Sequence, residues 1–339
     1  MARTVEELIA EIKSGQEHAS FDGNLSPAPE LPLGRDEASR IASALKAAPQ
    51  LRTLSISNIM LDDIAMQTLA GILPSTRLTT LNLYNNHITY EGAQAIAGAL
   101  PYSRLVDLNL SFNDIGDEGA NAIASALPHS RLLNLDLSSN DIGTEGVNAI
   151  ADALPHSRLL GLNLSFNNIR NEDANAIADA LPHSRLLGLN LSFNNIGDEG
   201  ANAIADVLPI SRLLDLNLAS NHIMDMNAIA DALPRSRLDT LSLVFNNIRD
   251  EGVQTMARAQ PNSTLEILEL LGNPYGDIGK QAVTNILPNI SRRNTLCKQM
   301  TQMEIERKAV AATGIELGGD KSLLLIPPAE ADRSALFFL

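Results

Sequence analysis

Between Arg158 and Ser211 the chain repeats itself: RLLGLNLSFNNIRNEDANAIADALPHS is followed at once by RLLGLNLSFNNIGDEGANAIADVLPIS, with 22 of 27 positions identical. A tandem repeat of this length constrains the fold more than any single motif could. One short unit cannot bury its own apolar face and must stack on its neighbours. Within a unit the apolar period changes partway. Leu159, Leu162 and Leu164 are interleaved with Gly161, Asn163 and Ser165, the alternation of a short strand with one buried face. Beyond Asn167 and Ile169, Ala174, Ile177, Ala178 and Leu181 fall on one helical stripe, which Pro182 brings to an end. One unit therefore reads as strand, turn, helix and return.

Nine strand motifs begin at Leu51, Leu78, Leu105, Leu132, Leu159, Leu186, Leu213, Leu238 and Leu265, spaced by 27 residues except for 25 between Leu213 and Leu238. In that short unit, HIMDMNAIADALP, the missing residues are placed in the turn before the helix, with a local change of curvature expected there. The LxxLxLxxNxI pattern with a helical second half resembles the leucine-rich repeats, and its EGAxxIAxAL helix is similar to the ribonuclease-inhibitor type. The resemblance covers about two-thirds of the chain. It implies an α/β leucine-rich-repeat solenoid, a horseshoe with a concave parallel β-sheet and convex α-helices. Proteins of this type include enzyme inhibitors, innate-immune sensors, GTPase-activating proteins and bacterial proteins injected into host cells, so it implies partner binding without fixing an outcome.

The array is expected over 51–291. Residues 1–34 read as an amphipathic helix, with Thr4 and Glu7 spaced as a capping box, and a linker. Residues 35–50 read as a half-repeat that caps the exposed core of the first unit, and 292–314 as a capping helix at the other end. The tail, 315–339, either packs over the last repeat or carries an export signal.

A net charge of −15 argues against nucleic acid, which needs a basic stripe to displace counterions, and against anionic membrane surfaces. Cys297 is the only cysteine, so no intrachain disulfide can form. No run approaches transmembrane length and no signal-peptide core is present, so a soluble protein is expected, cytoplasmic or exported without a cleaved signal. There is no phosphate loop, nucleophile elbow or metal-ligand set; His129, His156 and His183 share a column without acidic or sulfur partners and read as loop residues. The chain is accordingly read as a non-enzyme without cofactor or metal.

Function is then sought in columns. Asn86, Asn113, Asn140, Asn167, Asn194, Asn221, Asn246 and Asn273 form one column, where an amide can satisfy backbone groups left unpaired by the turn. Arg77, Arg104, Arg131, Arg158, Arg185, Arg212 and Arg237 precede seven successive strands. They either form an anion-binding ridge or pair with Asp152, Asp179, Asp206 and Asp231 or with helix-end carbonyls. The outward strand columns are small and polar in the middle units but change at the ends. Val244, Ile267 and Leu271 are expected to form an exposed apolar patch, which binds a partner or lies under the tail. Phe112, Phe166, Phe193 and Phe245 either line the concave rim as anchors or pack on one another. The candidate partner-binding set is Tyr84, Asp107, Phe112, Asp136, Phe166, Phe193, Asp215, Val244, Phe245, Ile267, Glu269 and Leu271.

The expected function is a monomeric protein-interaction module that binds a protein partner through the concave face. The near-identical middle units and the terminus PAEADRSALFFL are similar to effectors that intracellular pathogens such as Legionella export without a cleaved signal, which would make the partner a host protein. On that reading, deleting residues 320–339 abolishes export and leaves the fold intact. A GTPase-activating protein of the leucine-rich-repeat type is the alternative, disfavoured because the acidic tract of that family is missing. A structural spacer is a third reading, disfavoured by the distinct ends.

Overall fold

The computed structural model describes residues 4–22 and 35–286. The capping helix expected at 292–314, the tail and Cys297 lie outside them. Ten strands form one parallel sheet in chain order: β1 (His18–Asp22), β2 (Thr53–Ser57), β3 (Thr80–Asn82), β4 (Asp107–Asn109), β5 (Asn134–Asp136), β6 (Gly161–Asn163), β7 (Gly188–Asn190), β8 (Asp215–Asn217), β9 (Thr240–Ser242) and β10 (Ile267–Glu269). Each strand is followed by a helix. Preceding β1 is α1 (Val5–Lys13); then come α2 (Arg35–Lys46), α3 (Asp63–Ala70), α4 (Tyr90–Ala99), α5 (Gly116–Ala126), α6 (Thr144–Ala153), α7 (Asn171–Ala180), α8 (Asp198–Val207), α9 (Asn227–Ala232), α10 (Asp250–Ala259) and α11 (Asp277–Ile286). The chain is a leucine-rich-repeat solenoid.

Register follows from the repeat length. Leu135, Leu162 and Leu189 lie side by side on β5, β6 and β7 and point into a core that runs the length of the array. In the sixth strand's unit Leu159, Leu162, Leu164, Ile169, Ala174 and Ile177 are all fully buried. Removing one such aliphatic side chain from water is worth about 1.5–3 kcal/mol. The helices α4 to α9 each run into a single 3₁₀ turn that accommodates the proline near its start, as in Leu154–His156, where a missing N–H costs nothing. The serine that follows closes this turn: Ser157 Oγ donates to Leu154 O at 2.9 Å, and Leu159 N donates back to Ser157 Oγ at 3.4 Å.

The asparagine column is structural. Asn167 Nδ2 donates to Leu137 O and Leu164 O, each at 3.1 Å, while its Oδ1 accepts from Asn140 N at 3.2 Å and Ile142 N at 2.9 Å. One amide thus ties a unit to its predecessor. A second inter-unit clasp escaped the sequence reading: Asp117 Oδ1 accepts from Gly143 N (2.7 Å) and Gly146 N (3.0 Å) at the start of the next helix, and Asn171 and Asp250 repeat the arrangement. An acceptor at a helix N-terminus satisfies donors that have no intrahelical partner.

The short unit differs from expectation in where the deletion is absorbed. Helix α9 has 6 residues where its neighbours have 10, so the helix as well as the turn is cut. Asp198 Oδ1 there accepts from Met224 N (2.6 Å) and Asp225 N (2.8 Å), and Met226 is buried.

At the N-terminus, residues 18–22 form an additional strand inside the segment read as a linker. His18–Asp22 pairs in register with Thr53–Ser57 through Ala19 and Phe21, which are buried. Only two inward side chains mark this strand, too few for the leucine pattern to reveal it. Helix α1 begins at the expected cap, with Thr4 Oγ1 accepting from Glu7 N at 3.2 Å, and buries Leu8, Ile9 and Ile12. Its Glu6 pairs with Arg40 of α2.

Candidate functional site

An all-parallel sheet is ordinarily covered on both faces. Here the middle residue of strands β3 to β9 is buried beneath the helices, and its neighbours are mostly half-buried, so one face is open. That open face carries most of the candidate residues, and the structure divides them into three groups.

The first group is already engaged. Asp107 accepts from Thr80 Oγ1 at 3.2 Å and from Asn134 Nδ2 at 2.6 Å, so its carboxylate braces three strands. Asp136 Oδ1 accepts from Ser138 N at 2.9 Å and Ser138 Oγ at 2.7 Å; burial raises its pKa against the lowering effect of these bonds. The aromatic residues pack rather than stand free. Phe166 and Phe193 stack with centroids 3.9 Å apart and planes at 10°, and Tyr84 tilts against Phe112 at 5.1 Å and 59°. Burial, then the charges of Asp22 and Asp136, raises the Tyr84 pKa. Phe245 covers Gly272, where an added Cβ would lie 2.2 Å from the ring.

These phenylalanines share an unusual backbone. Phe112, Phe166, Phe193 and Phe245 have φ of 56°, 54°, 54° and 53°, and Asn85, Ser139 and Ser220 match them in other units. Side-chained residues rarely enter this left-handed region. Here the next strand holds them: Phe112 N donates to Ser138 O at 2.9 Å and Phe193 N to Ala219 O at 2.9 Å.

The second group is a correction. Val244 is 2% exposed and belongs to no surface patch. In its column Ser111, Ser138, Ser165, Ser192 and Ala219 are buried as well, and only the end members Tyr84 and Leu271 are not. The reason is the turn that begins there: in the earlier units the residue's N–H folds back onto the side chain two positions before, as Ala219 N does onto Asn217 Oδ1 at 2.9 Å. Alternation therefore ends one residue sooner than the sequence reading assumed. Of the expected apolar patch, Ile267 is half-buried and Leu271 is 38% exposed.

The third group is unsatisfied. Asp215 is half-buried on β8, and among the described residues its carboxylate accepts no hydrogen bond. Burial first, and the charge of Glu269 second, push its pKa up to about 6. Glu269, Ile267 and Leu271 lie two units further on. A raised folded-state pKa means that the folded protein binds the proton more tightly than the unfolded chain, so this site's contribution to stability is complete at pH below about 4 and is lost as pH rises through about 6. Asp215→Asn is expected to stabilise the protein at pH 7.5, with the advantage vanishing on acidification to pH 4. Thermal melts of the two proteins across this range would show it, and a pH-independent difference would refute it.

Two further features complete the face. Val106, Leu133, Leu160, Leu187 and Leu214 form an aliphatic row beside the strands, with Leu187 37% and Leu214 36% exposed. The doubled leucine of RLL was its signal, because only one of two consecutive residues can face the core. All seven arginines of the preceding column are exposed, and among the described residues none of them pairs with Asp152, Asp179, Asp206 or Asp231 or bonds a helix-end carbonyl. His129, His156 and His183 are exposed, and no metal-ligand cluster occurs among the described residues. No helix among them is long and apolar enough to cross a membrane.

Comparison with known proteins accords with this architecture. The family model described as leucine rich repeat matches residues 75–97, 105–124, 129–151, 159–178, 186–205 and 238–257, leaving out the shortened unit. Among solved structures, an internalin from Listeria monocytogenes is similar at a TM-score of 0.51 and 19% identity, over 82% of this chain and 87% of that one. A TLR13–ssRNA13 complex aligns at a TM-score of 0.47 and 22% identity over 71% of this chain, which spans only 36% of that chain. No curated protein matches. The repeated pattern, the layered core and the six matched segments agree on one fold, a leucine-rich-repeat solenoid.

Proposed function

We propose that this protein is an interaction module that engages a protein partner through the C-terminal third of its open sheet, around Asp215, Ile267, Glu269 and Leu271. The observation that carries this is Asp215, a half-buried carboxylate on an uncovered face with no donor of its own. Keeping a carboxylate charged while it is partly withdrawn from water is costly, and a partner's lysine or arginine would offset that cost. Glu266 and Asp239, both exposed, extend the acidic character, while Leu271 and Ile267 supply apolar area beside it. The matching partner surface is basic with an aromatic centre, and arginine, tyrosine and tryptophan are the residue types enriched at interaction hot spots. Asp107, Asp136 and the paired aromatics serve as a rigid platform on this reading.

The array is further proposed to be of the ribonuclease-inhibitor type, since its full-length units close with a helix of about three turns. An effector role in a host cell rests on the near-identity of the units in 158–211 and on the terminal residues, which lie outside those described.

The test is affinity capture from eukaryotic lysate with the intact protein and with a folded Asp215→Ala, Leu271→Asp variant, followed by titration of the purified captured protein. The variant is expected to bind at least about tenfold more weakly. Equal binding would remove the C-terminal third as the site. Val244→Asp is unsuitable for this purpose, because it would place a charge in the core.

A further inference from the structure

Almost every recurring polar column of the array has an internal partner: the asparagines hold backbone groups, the serines close the 3₁₀ turns, and the helix-start acids clasp the next unit. The arginine column does not. Arg77, Arg104, Arg131, Arg158, Arg185, Arg212 and Arg237 are exposed, and no carboxylate among the described residues pairs with any of them. Gln50 and Thr264 occupy the same position in the first and last motifs, so the unit does not need arginine there to fold.

The strand ladder fixes where these side chains go. Leu133 N donates to Val106 O and Leu160 N to Leu133 O, so the inter-unit hydrogen bonding extends to the residues just before β5 and β6. Leu132 and Leu159 are fully buried, whereas Arg131 and Arg158 just before them are exposed and Leu133 and Leu160 just after them are half-buried, at the bend that leads into β5 and β6. Two rows result, side by side along the strand-entry rim. One is cationic and runs about 29 Å over seven units; the other is aliphatic, from Val106 to Leu214, and runs about 19 Å.

Seven like charges about 4.8 Å apart repel one another, and a complementary anionic ligand removes that repulsion. We infer that this rim binds an acidic amphipathic helix of a partner protein, its carboxylates on the arginine row and its leucine or isoleucine side chains on the aliphatic row. The repeat of the rim, about 4.8 Å, lies near the 5.4 Å pitch of an α-helix, so successive turns meet successive units. A rim about 29 Å long accommodates roughly 19 residues of helix. Arginine, with its planar fork of donors, suits carboxylate better than lysine would. A long polyanion fits poorly, because a net charge of −15 and the exposed Asp152, Asp179, Asp206 and Asp231 of the neighbouring helix ends repel whatever overhangs the single cationic row.

The rim from Arg77 to Leu187 lies away from the surface around Asp215 and Leu271 and adjoins it only at Leu214, so the two readings fail separately. The probe is a fluorescent synthetic peptide of about 19 residues with leucine at i, i+3, i+4 and i+7 and glutamate on the adjoining positions. Titrated against the full chain, it is expected to bind, and to weaken with added salt. Arg131→Glu, Arg158→Glu, Arg185→Glu combined should weaken binding by at least about tenfold, and Leu133→Ser, Leu160→Ser, Leu187→Ser combined should do likewise. Circular dichroism melts would establish that both variants are folded; should either unfold, Arg131→Gln, Arg158→Gln, Arg185→Gln combined replaces it with the same expected weakening. Asp215→Ala, Leu271→Asp should leave peptide binding unchanged. No binding of this peptide, equal binding of a version with serine for leucine, or stronger binding to single-stranded polyuridylate or to phosphatidylserine vesicles would overturn the inference.

Discussion

Asn167→Ala is expected to lower the unfolding free energy by about 3–4 kcal/mol, whereas Asn273→Ala, the same change in the last motif, costs only about 1 kcal/mol. Asn167 is buried, and its loss leaves Leu137 O, Asn140 N and Ile142 N without the side-chain partner each has now. Each orphaned buried group costs about 1–3 kcal/mol. Leu164 O suffers less, since Asn194 Nδ2 also donates to it at 3.1 Å. Asn273 makes similar bonds, to Leu243 O at 2.8 Å and Leu270 O at 2.9 Å, but is half-buried at the end of the described array, where water can take over. Urea denaturation of the two variants measures the difference. Equal losses would mean that the ladder works only within a unit, and a loss below about 1 kcal/mol for Asn167→Ala would mean that solvent reaches its interior.

The same inter-unit bonding explains how much of the structure could be read from residues alone. A period of 27 residues that contains both an alternating and a helical stripe admits essentially one arrangement, so strands β2 to β10, the helices and their register were legible. The strand His18–Asp22 was not, because its pairing partner, not its own pattern, makes it a strand. The open face was harder. Alternation assigns a side chain to a face only while the chain stays extended, and at Val244 the chain has already begun to turn. Leu133 shows the converse: it lies at a bend between the buried Leu132 and Leu135, so two successive residues, Leu133 and Asn134, stay outside the core. The phenylalanines were placed in the right column, but whether they anchor a partner or one another depends on left-handed backbone angles that no periodicity encodes. Asp215 is the clearest case. The outward column already names it beside Asp107 and Asp136, but what separates it from those two, burial without a donor of its own, is created only by folding.

Gly146→Val is expected to destabilise the protein by about 3 kcal/mol, while Gly98→Ala stabilises it by about 0.5–1 kcal/mol, although both glycines sit in comparable helices. A Cβ on Gly146 of α6 would lie 2.7 Å from Asp117 Oδ1 and Ile142 Cγ2 and 3.0 Å from Ala120 Cβ, so it would force apart the clasp between two units. On Gly98 of α4 an added Cβ meets nothing within 4 Å, and only the entropic disadvantage of glycine in a helix is removed. The exception within the column accounts for the rule. Helix α7 carries Asp173 in place of the glycine, fully buried, with Oδ2 accepting from Arg170 N at 2.8 Å and Oδ1 without a partner. The preceding unit has Thr144 where others have Asp117, Asn171 or Asp250, so the aspartate caps its own helix in place of the missing clasp. Thr144→Asp alone should therefore destabilise by bringing two carboxylates together in the interior. Combined with Asp173→Gly it should restore the arrangement of the other units and raise stability by about 1 kcal/mol above the parent. Chemical denaturation of the two single variants and the double variant decides the matter: additive effects would show that residues 144 and 173 do not share a clasp, whereas a change of sign in the background of Asp173→Gly is the outcome this geometry requires.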